Sequence, residues 1–397
     1  MTIRGLLTTI ALVICAPAQA QDIGFEAWLD AFRAEAAAAG IGSDIIDDAF
    51  ADLSINERVY ELNDNQPEFS RAIWDYLDTA LSERRIADGR AALSENRIIL
   101  SLIEDAYGVD AEIIVAIWGM ESAYGAILGN YDAIEALATL GYEGRRTGYG
   151  RSQLIGALKI LQNGYATRKE LTGSWAGAMG HTQFIPTTYL AYAVDHDKDG
   201  RRDIWSNLGD VFASTANYLA ASGYGANAPW GVEVRLPGGF DYALADASRK
   251  KPVAEWASLG VKGVRGELFQ IADPNLRGRL IVPAGARGPA FLVFANFEAI
   301  LKYNRSTAYA LAVALLSDAV ADRGGQVVTL WPREDRPLSL EERKSLQQAL
   351  AERGYDPGPV DGIIGAGTKR ALRAWQRAAG RPADGYASAA ILEALRP

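Results

Sequence analysis

The chain has 397 residues, nearly half of them apolar, with 40 basic against 49 acidic side chains and a formal net charge of −9. This acidic balance argues against a general nucleic-acid binder, which carries a basic excess. A single cysteine, Cys15, rules out an intrachain disulfide framework.

The opening "MTIRGLLTTIALVICAPAQA" has a positive start at Arg4, an apolar run from Leu6 to Cys15, and the small-residue site Ala18-Gln19-Ala20. It reads as a secretory signal peptide over residues 1–20, cut after Ala20, which removes Cys15 with it. The run is shorter than the roughly 20 apolar residues of a membrane span, and no later run is long enough. Bulky Ile14 ahead of Cys15 argues against lipidation, since lipoprotein processing wants a small residue there. Roughly 375 residues remain, enough for two or three domains.

The pattern is then mostly helical. "FEAWLDAFRAEAAAAG" is amphipathic and stops at Gly40, and "PEFSRAIWDYLDTAL" and "AALSENRIILSLIEDAYG" follow. In "AEIIVAIWGMESAYG", Ile113, Ile114, Ile117 and Met120 share one side of a helix, and Glu121 continues that stripe. Such a carboxylate is either a helix-end group that escapes to solvent or pairs with an arginine, or a desolvated acid. Desolvation raises a carboxyl pKa and keeps a proton available near neutral pH, as a general acid needs. Gly119, Ala123 and Gly125 keep the surroundings small, which suits the approach of a bulky substrate.

"RSQLIGALKILQNG" is a further helix, ending at Gly164. "GSWAGAMGHTQF" is turn-rich, with the small run Ala176-Gly177-Ala178. Its Ser174 and Gln183 offer neutral donors and acceptors suited to hydroxyls and acetamides. In "DHDKDGRRDIW", Asp195, Asp197 and Asp199 fall at positions 1, 3 and 5 of an EF-hand-like loop, Gly200 at 6, and the Arg201 carbonyl at 7. Position 12 is Ser206 rather than a bidentate Glu. The two readings are a structural Ca2+ site and a solvated acidic turn. A calmodulin-type regulator fails, because no paired second loop exists.

From about Trp230 to Phe294 the texture changes to Gly, Pro and the short β-prone runs "GVEVRLP", "RLIVP" and "AFLVF", a small β-containing insertion. Helix returns with "FEAILKYNRSTAYALAVALLSDAV". Residues 324–337 read as a linker. Residues 338–397 hold three short helices joined by "GYDPGPVDGIIG" and "GRPADGY", with Leu346, Leu350, Leu372 and Trp375 as core, a unit small but able to fold alone.

"IWGMESAYG" and "GSWAGAMGHTQFIPTTYLAYAVDHDKDGRRDIW", with "WDYL" at 74–77 and "KYNRSTAYALAV" at 302–313, resemble the membrane-bound-lytic-transglycosylase-B-like family of murein-cleaving enzymes. The resemblance runs from about Phe25 to Val320. It implies a mainly α (α+β), lysozyme-like catalytic domain over residues 21–323 and a periplasmic location. The implied reaction cleaves peptidoglycan between N-acetylmuramic acid and N-acetylglucosamine and leaves a 1,6-anhydromuramic acid end without adding water. One catalytic carboxylate is implied, at Glu121. Most glycosidases use two. Here the nucleophile is the sugar's own tethered C6 hydroxyl, so no second group must position a water.

The resemblance also assigns glycan contacts to Ser174, Gln183 and Phe184, and to Tyr303 and Asn304 beside the acid, with Tyr309 following at the family spacing. Tyr76 and Tyr218 match cleft tyrosines, whose faces stack on sugars. Arg145 and Arg146 match a basic pair that meets lactyl or peptide carboxylates. The sequence departs from the family at His181, where an aromatic is common. Asp210 is the later acid that stands in for the missing loop Glu, so the implied metal set is Asp195, Asp197, Asp199, Arg201 and Asp210. The ion is structural, and no cofactor serves catalysis.

"LQQALAERGYDPGPVDGIIGAGTKRALRAWQRAAG" resembles the type 1 peptidoglycan-binding domain. In it Asp361-Gly362 and Gly365 make turns, Thr368 caps or opens a helix, and Trp375-Gln376 packs on the first helix. It would hold the enzyme on the wall and raise its effective concentration. The expected partner is the glycan strand, with no nucleic acid, no membrane span and a monomeric state. Two alternatives stay open: a hydrolase on the same scaffold, and a non-catalytic wall-binding scaffold. The absence of a clearly placed second acid favours the lyase, and the presence of Glu121 disfavours the scaffold.

Overall fold

The helix that carries Glu121 is buried on nearly every side. The computed structural model describes residues 24–64, 71–245, 249–266 and 273–396, so the expected signal peptide lies outside the described residues. The first helices are α1 (Phe25–Ala38), α2 (Ser43–Ala49), α3 (Glu57–Asp64), α4 (Ile73–Ala80), α5 (Glu83–Glu95), α6 (Arg97–Tyr107) and α7 (Ala111–Ser122). Next come β1 (Tyr131–Asp132), α8 (Ala133–Tyr142), α9 (Thr147–Gln162), β2 (Thr172–Gly173), α10 (Pro186–Tyr192) and α11 (Leu208–Ala221). After the β-rich segment, α13 (Ala295–Tyr303) and α14 (Thr307–Val320) complete this unit.

In α7 every residue from Ile113 to Gly119 is buried, not a single stripe. The reason is composition: Ile, Val, Ala and Trp occupy every face, and a helix apolar all round goes to the centre of a core. α14 is equally apolar and packs against it, burying Tyr309 through Ser317. Beyond Glu121 the chain turns sharply, with positive φ at Ala123, Tyr124 and Gly125. The space left by Gly119 and Gly125 is not open to substrate, as the sequence suggested. A Cβ at Gly119 would collide with the Tyr124 ring, and one at Gly125 with the His181 ring.

The insertion is an antiparallel sheet of β3 (Gly231–Arg235), β4 (Lys251–Pro252), β5 (Lys262–Gly263), β6 (Arg277–Ile281) and β7 (Ala290–Val293), in the order β4-β6-β7-β3-β5. Its faces bury Val234, Leu280 and Leu292 with Trp256 of α12 (Val253–Ser258), a core separate from the helical one. The expected linker is fastened down rather than loose. Trp331 packs on Trp74, Arg333 pairs with Asp78, and the Glu233 carboxylate accepts from Val328 N and Thr329 N.

The tail folds as α15 (Leu340–Glu352), α16 (Ala366–Ala378) and α17 (Ala389–Ala394) over Leu346, Leu350, Leu372 and Trp375. Ser339 and Glu342 form a capping box at the start of α15. Thr368 is not the cap of α16. Gly365 holds that place, and the buried Thr368 hydroxyl donates to the Pro357 carbonyl. Two buried glutamines each fasten an Asp-Gly turn. Gln347 donates to Asp361 and accepts from Gly362 N, and Gln376 donates to Asp384 and accepts from Gly385 N. Among the described residues, no helix is long and apolar enough to cross a membrane.

Candidate active site

Glu121 sits half-buried at the last turn of α7, at the end of a helix whose residues from Ile113 to Gly119 are buried. Burial pushes its carboxyl up to about 7, opposed by a hydrogen bond from Tyr309. The Tyr309 hydroxyl donates to Glu121 Oε1 at 2.5 Å. No second carboxylate and no arginine contributes to the shift.

Three tyrosines and one phenylalanine form a wall beside the acid. The rings of Tyr303 and Tyr309 lie parallel, with centroids 6.5 Å apart. Tyr218 meets Tyr303 edge-on at 5.0 Å, and Phe184 lies 5.9 Å from both Tyr218 and Tyr303. Phe184 is only 2% exposed, so its ring supports the tyrosines from behind. Tyr303 donates to the Thr182 carbonyl, and Tyr218 to the Lys302 carbonyl. Burial and the nearby Glu121 hold the Tyr303 and Tyr309 hydroxyls protonated, and Tyr76 on α4 adds to the effect at Tyr309. The turn from α13 to α14 sets this spacing. Exposed Asn304 accepts from Ser306 N, and Ser306 caps α14 by accepting from Tyr309 N.

Ser174 and Gln183 come from a small hairpin. β1 pairs with β2, and bridges Gly173 to Met179 and Met179 to Phe184 continue the ladder. Gly173 is required there, because a Cβ would drive into the Ala178 carbonyl. Ser174 Oγ accepts from Ala178 N, which shapes the turn. Gln183 has φ of 52° and donates to the Leu128 and Gly180 carbonyls, so its amide is held beside the chain leaving α7. Arg146 lies over the Trp175 ring at 5.5 Å and the Tyr149 ring at 5.9 Å, while Arg145 donates to the Asn63 carbonyl. Arg146 therefore lies on the Ser174 side of the site, while Arg145 is turned to the end of α3.

His181, the position that departs from the family, joins three parts of the site. Trp118 Nε1 donates to His181 Nδ1 at 2.9 Å, and His181 Nε2 lies 3.1 Å from the Trp205 carbonyl. That pairing fits the neutral Nε2–H tautomer, and burial lowers the ring's pKa. In the sequence Trp118 stood only among the apolar neighbours, Ile, Trp and Met, that desolvate Glu121. Its only signal was its place one turn ahead of Glu121.

In the acidic loop, carboxylate oxygens of Asp195, Asp197 and Asp210 all lie within 4.8 Å of one another. Asp210 is fully buried and accepts from His196 N and Asp203 N. Its pKa is raised by burial first, then by Asp197 and Asp195. Asp199 lies outside that group of three. It donates its N–H to Asp195 and Asp197, and its carboxylate accepts from Arg201 N. The Arg201 guanidinium pairs with Glu170 at 3.0 Å, and Asp203 and Asp199 are close enough to add to the stabilisation of its charge.

A family profile described as "Transglycosylase SLT domain" matches residues 24–318, and one described as "Putative peptidoglycan binding domain" matches residues 339–395. Among solved structures, the chain resembles SltB3 from Pseudomonas aeruginosa in complex with NAG-anhNAM-pentapeptide. The identity is 54% and the TM-score 0.91, over 94% of this chain and 99% of that one. The same protein with NAG-NAM-pentapeptide matches equally. The Escherichia coli lytic transglycosylase Slt35 in complex with calcium is similar at 27% identity and a TM-score of 0.64, over 75% of this chain and 94% of that one. Among curated proteins, membrane-bound lytic murein transglycosylase B of E. coli (strain K12) is 30% identical over 280 residues, 67% of this chain and 74% of that protein.

Proposed function

The chain belongs to the transglycosylase SLT domain family, and on that premise we propose that Glu121 is the one catalytic carboxylate of a lytic cleavage of peptidoglycan. The protein is a peptidoglycan lytic transglycosylase on a lysozyme-like helical scaffold. The observation that carries the assignment is a half-buried carboxyl that desolvation raises to about 7, hydrogen-bonded to Tyr309 and with no second carboxylate among the causes of its shift. Both classes of water-using glycosidase place two carboxylates across the scissile bond, whereas among the described residues no second carboxylate contributes to the shift of Glu121. That absence from its electrostatics supports the lyase over the hydrolase.

Protonated Glu121 gives its proton to the oxygen linking N-acetylmuramic acid to N-acetylglucosamine as that bond breaks. The carboxylate left behind takes the proton of the muramic acid C6 hydroxyl. The C6 oxygen closes on C1 to give the 1,6-anhydro end. Glu121 is protonated again, and no water is consumed. Tyr309 holds the carboxylate in place and steadies its ionised form between the two proton transfers. Tyr303, Tyr218 and Tyr76 border the sugar, with Phe184 behind them. Ser174, Gln183 and Asn304 supply neutral polar contacts. Arg145 and Arg146 suit the lactyl or stem carboxylates near the Ser174 turn.

The acidic loop fits a hard divalent cation. Three carboxylates this close repel one another, one of them is fully buried, and Arg201 of the same loop is engaged with Glu170. Asp195, Asp197 and Asp210 would hold a structural Ca2+, with Asp199 and the Arg201 carbonyl at the remaining loop positions. The ion would fix the strand that leads from His181 to Trp205. The tail anchors the enzyme on the wall. The enzyme is exported to the periplasm by residues 1–20 and works as a monomer.

Digestion of murein in 18O-labelled water tests the reaction class. Products free of the label support the lyase. A label on each new muramic acid end would establish hydrolysis.

A further inference from the structure

A short run of hydrogen bonds joins the acidic loop to the helix of Glu121. Asp210 accepts from Asp203 N at 2.7 Å. Asp203 in turn accepts from Trp205 N and Ser206 N, both at 2.9 Å. The Trp205 carbonyl lies 3.1 Å from His181 Nε2, and the Ile204 carbonyl accepts from His181 N at 2.9 Å. His181 Nδ1 accepts from Trp118 Nε1 at 2.9 Å. Trp118 stands three residues before Glu121 on α7. Its carbonyl accepts from Ala123 N and from the Ser122 hydroxyl, which closes the helix end on which Glu121 sits.

The same segment holds the other side of the acid. The Thr182 carbonyl, next in the chain to His181, accepts from the Tyr303 hydroxyl. The Tyr303 ring lies parallel to that of Tyr309, which donates to Glu121. A Cβ at Gly125 would strike the His181 ring, so the turn beyond Glu121 also closes on this residue. Residues 181 and 182 therefore touch the helix of the acid, the turn after it and the tyrosine wall.

One ring state serves both ends of the bridge. The neutral Nε2–H tautomer accepts from the indole and donates to a carbonyl, whereas an imidazolium has no acceptor and a phenyl ring has neither group. Burial lowers the pKa of His181, which favours the neutral form. Trp118 is itself buried, with the Phe212 ring 5.2 Å away and the Tyr124 ring at 5.8 Å, both edge-on. In so close a packing, a displaced indole passes its shift to the helix.

We propose that His181 is a positioning residue for the reaction: through Trp118 it sets the placement of Glu121, and through Trp205 it makes that placement depend on the acidic loop. The inference rests on the assignment of Glu121 as the catalytic carboxylate. It gives the loop a part in turnover as well as in stability.

Steady-state kinetics of the full mature chain on soluble, peptide-free glycan strands test it. His181→Phe should lower kcat by about tenfold with KM nearly unchanged, since a misplacement of ~1 Å can cost up to ~10²-fold. His181→Gln offers one acceptor and a donor on its side-chain amide and should recover most of the loss. Both variants are compared at a temperature where each is folded, so a merely looser fold does not separate them. Asp203→Ala releases Trp205 N. It should lower kcat in the wild type and add no further loss to His181→Phe, because both act along one route. Trp118→Phe should reproduce the kcat loss and be equally indifferent to Asp203→Ala, which keeps the test in hand if His181→Phe does not fold. Full kcat in His181→Phe, a Gln variant no better than the Phe variant, or independent losses from Asp203→Ala and His181→Phe would overturn the proposal. A Glu121→Gln enzyme that still cleaves sinks the assignment of the acid. An inactive Glu121→Gln beside a fully active His181→Phe sinks this inference alone.

Discussion

Tyr309 and Glu121 meet across the contact between α14 and α7, with the phenol donating to the carboxylate at 2.5 Å. Two opposed effects act on one group there. Burial disfavours the charged carboxylate, the Tyr309 hydrogen bond favours it, and the balance lies at about 7. A group so poised can give a proton and take one back in the same turnover.

This balance predicts the pH profile. The first step needs protonated Glu121, so kcat/KM should fall as pH rises through about 7. Tyr309→Phe removes the effect that lowers the pKa, so the falling limb should move to higher pH. A limb that stays in place, or moves down, would show that Tyr309 does not tune the acid.

The same shift predicts a stability effect. The folded state holds the Glu121 proton more tightly than the unfolded chain, so stability should decline as pH rises from the ordinary value of 4.5 to about 7. The decline is complete above that window and absent below it. Glu121→Gln abolishes the penalty and keeps an acceptor for Tyr309. The variant should exceed the wild type at pH 8 by roughly 1–3 kcal/mol, at ~1.4 kcal/mol per pKa unit, and match it near pH 4. Thermal unfolding at both pH values checks the sign.

His181→Phe should act through Trp118. The substitution leaves the Trp118 indole N–H without its acceptor, which costs roughly 1–3 kcal/mol. Trp118 lies one turn before Glu121, so kcat should drop while KM changes little. Adding Trp118→Phe removes the orphaned donor and should recover part of the lost stability. Strict additivity of the two substitutions would contradict the coupling.

Calcium should raise the melting temperature of the wild type and leave Asp197→Asn unmoved. A ligand at about 100 times its Kd stabilises by ~2.7 kcal/mol, readily seen by calorimetry. A wild type indifferent to calcium would leave the acidic loop as an ion-free turn.

The glutamate's setting was legible in the sequence because apolar neighbours at helical spacing are a local signal. The elements that cover the other faces of α7 were not, because α14 and α11, where Phe212 meets Trp118, lie far along the chain. The same distance hid the use of Gly119 and Gly125, whose empty sides receive Tyr124 and His181. Phe184 could be placed in the motif but not turned: its burial behind the tyrosines follows from the ladder with Met179 and from the packing of Tyr218 and Tyr303 against it. In the loop, the spacing of Asp195 and Asp197 pointed to a cluster. Asp199 was expected with them, and its carboxylate instead closes a turn onto Arg201 N. The three helices of the tail were plain from their turns. The docking of the tail depends on contacts such as Asp384 to Ala286, which no local pattern announces.

The most direct test of the account is mass spectrometry of the muropeptides released from purified sacculi by the mature protein and by Glu121→Gln. The account predicts wild-type products one water lighter than reducing-end muropeptides, and a fall of at least ~10²-fold in their yield with the variant. Reducing ends from the wild type, or undiminished anhydro products from Glu121→Gln, would contradict it.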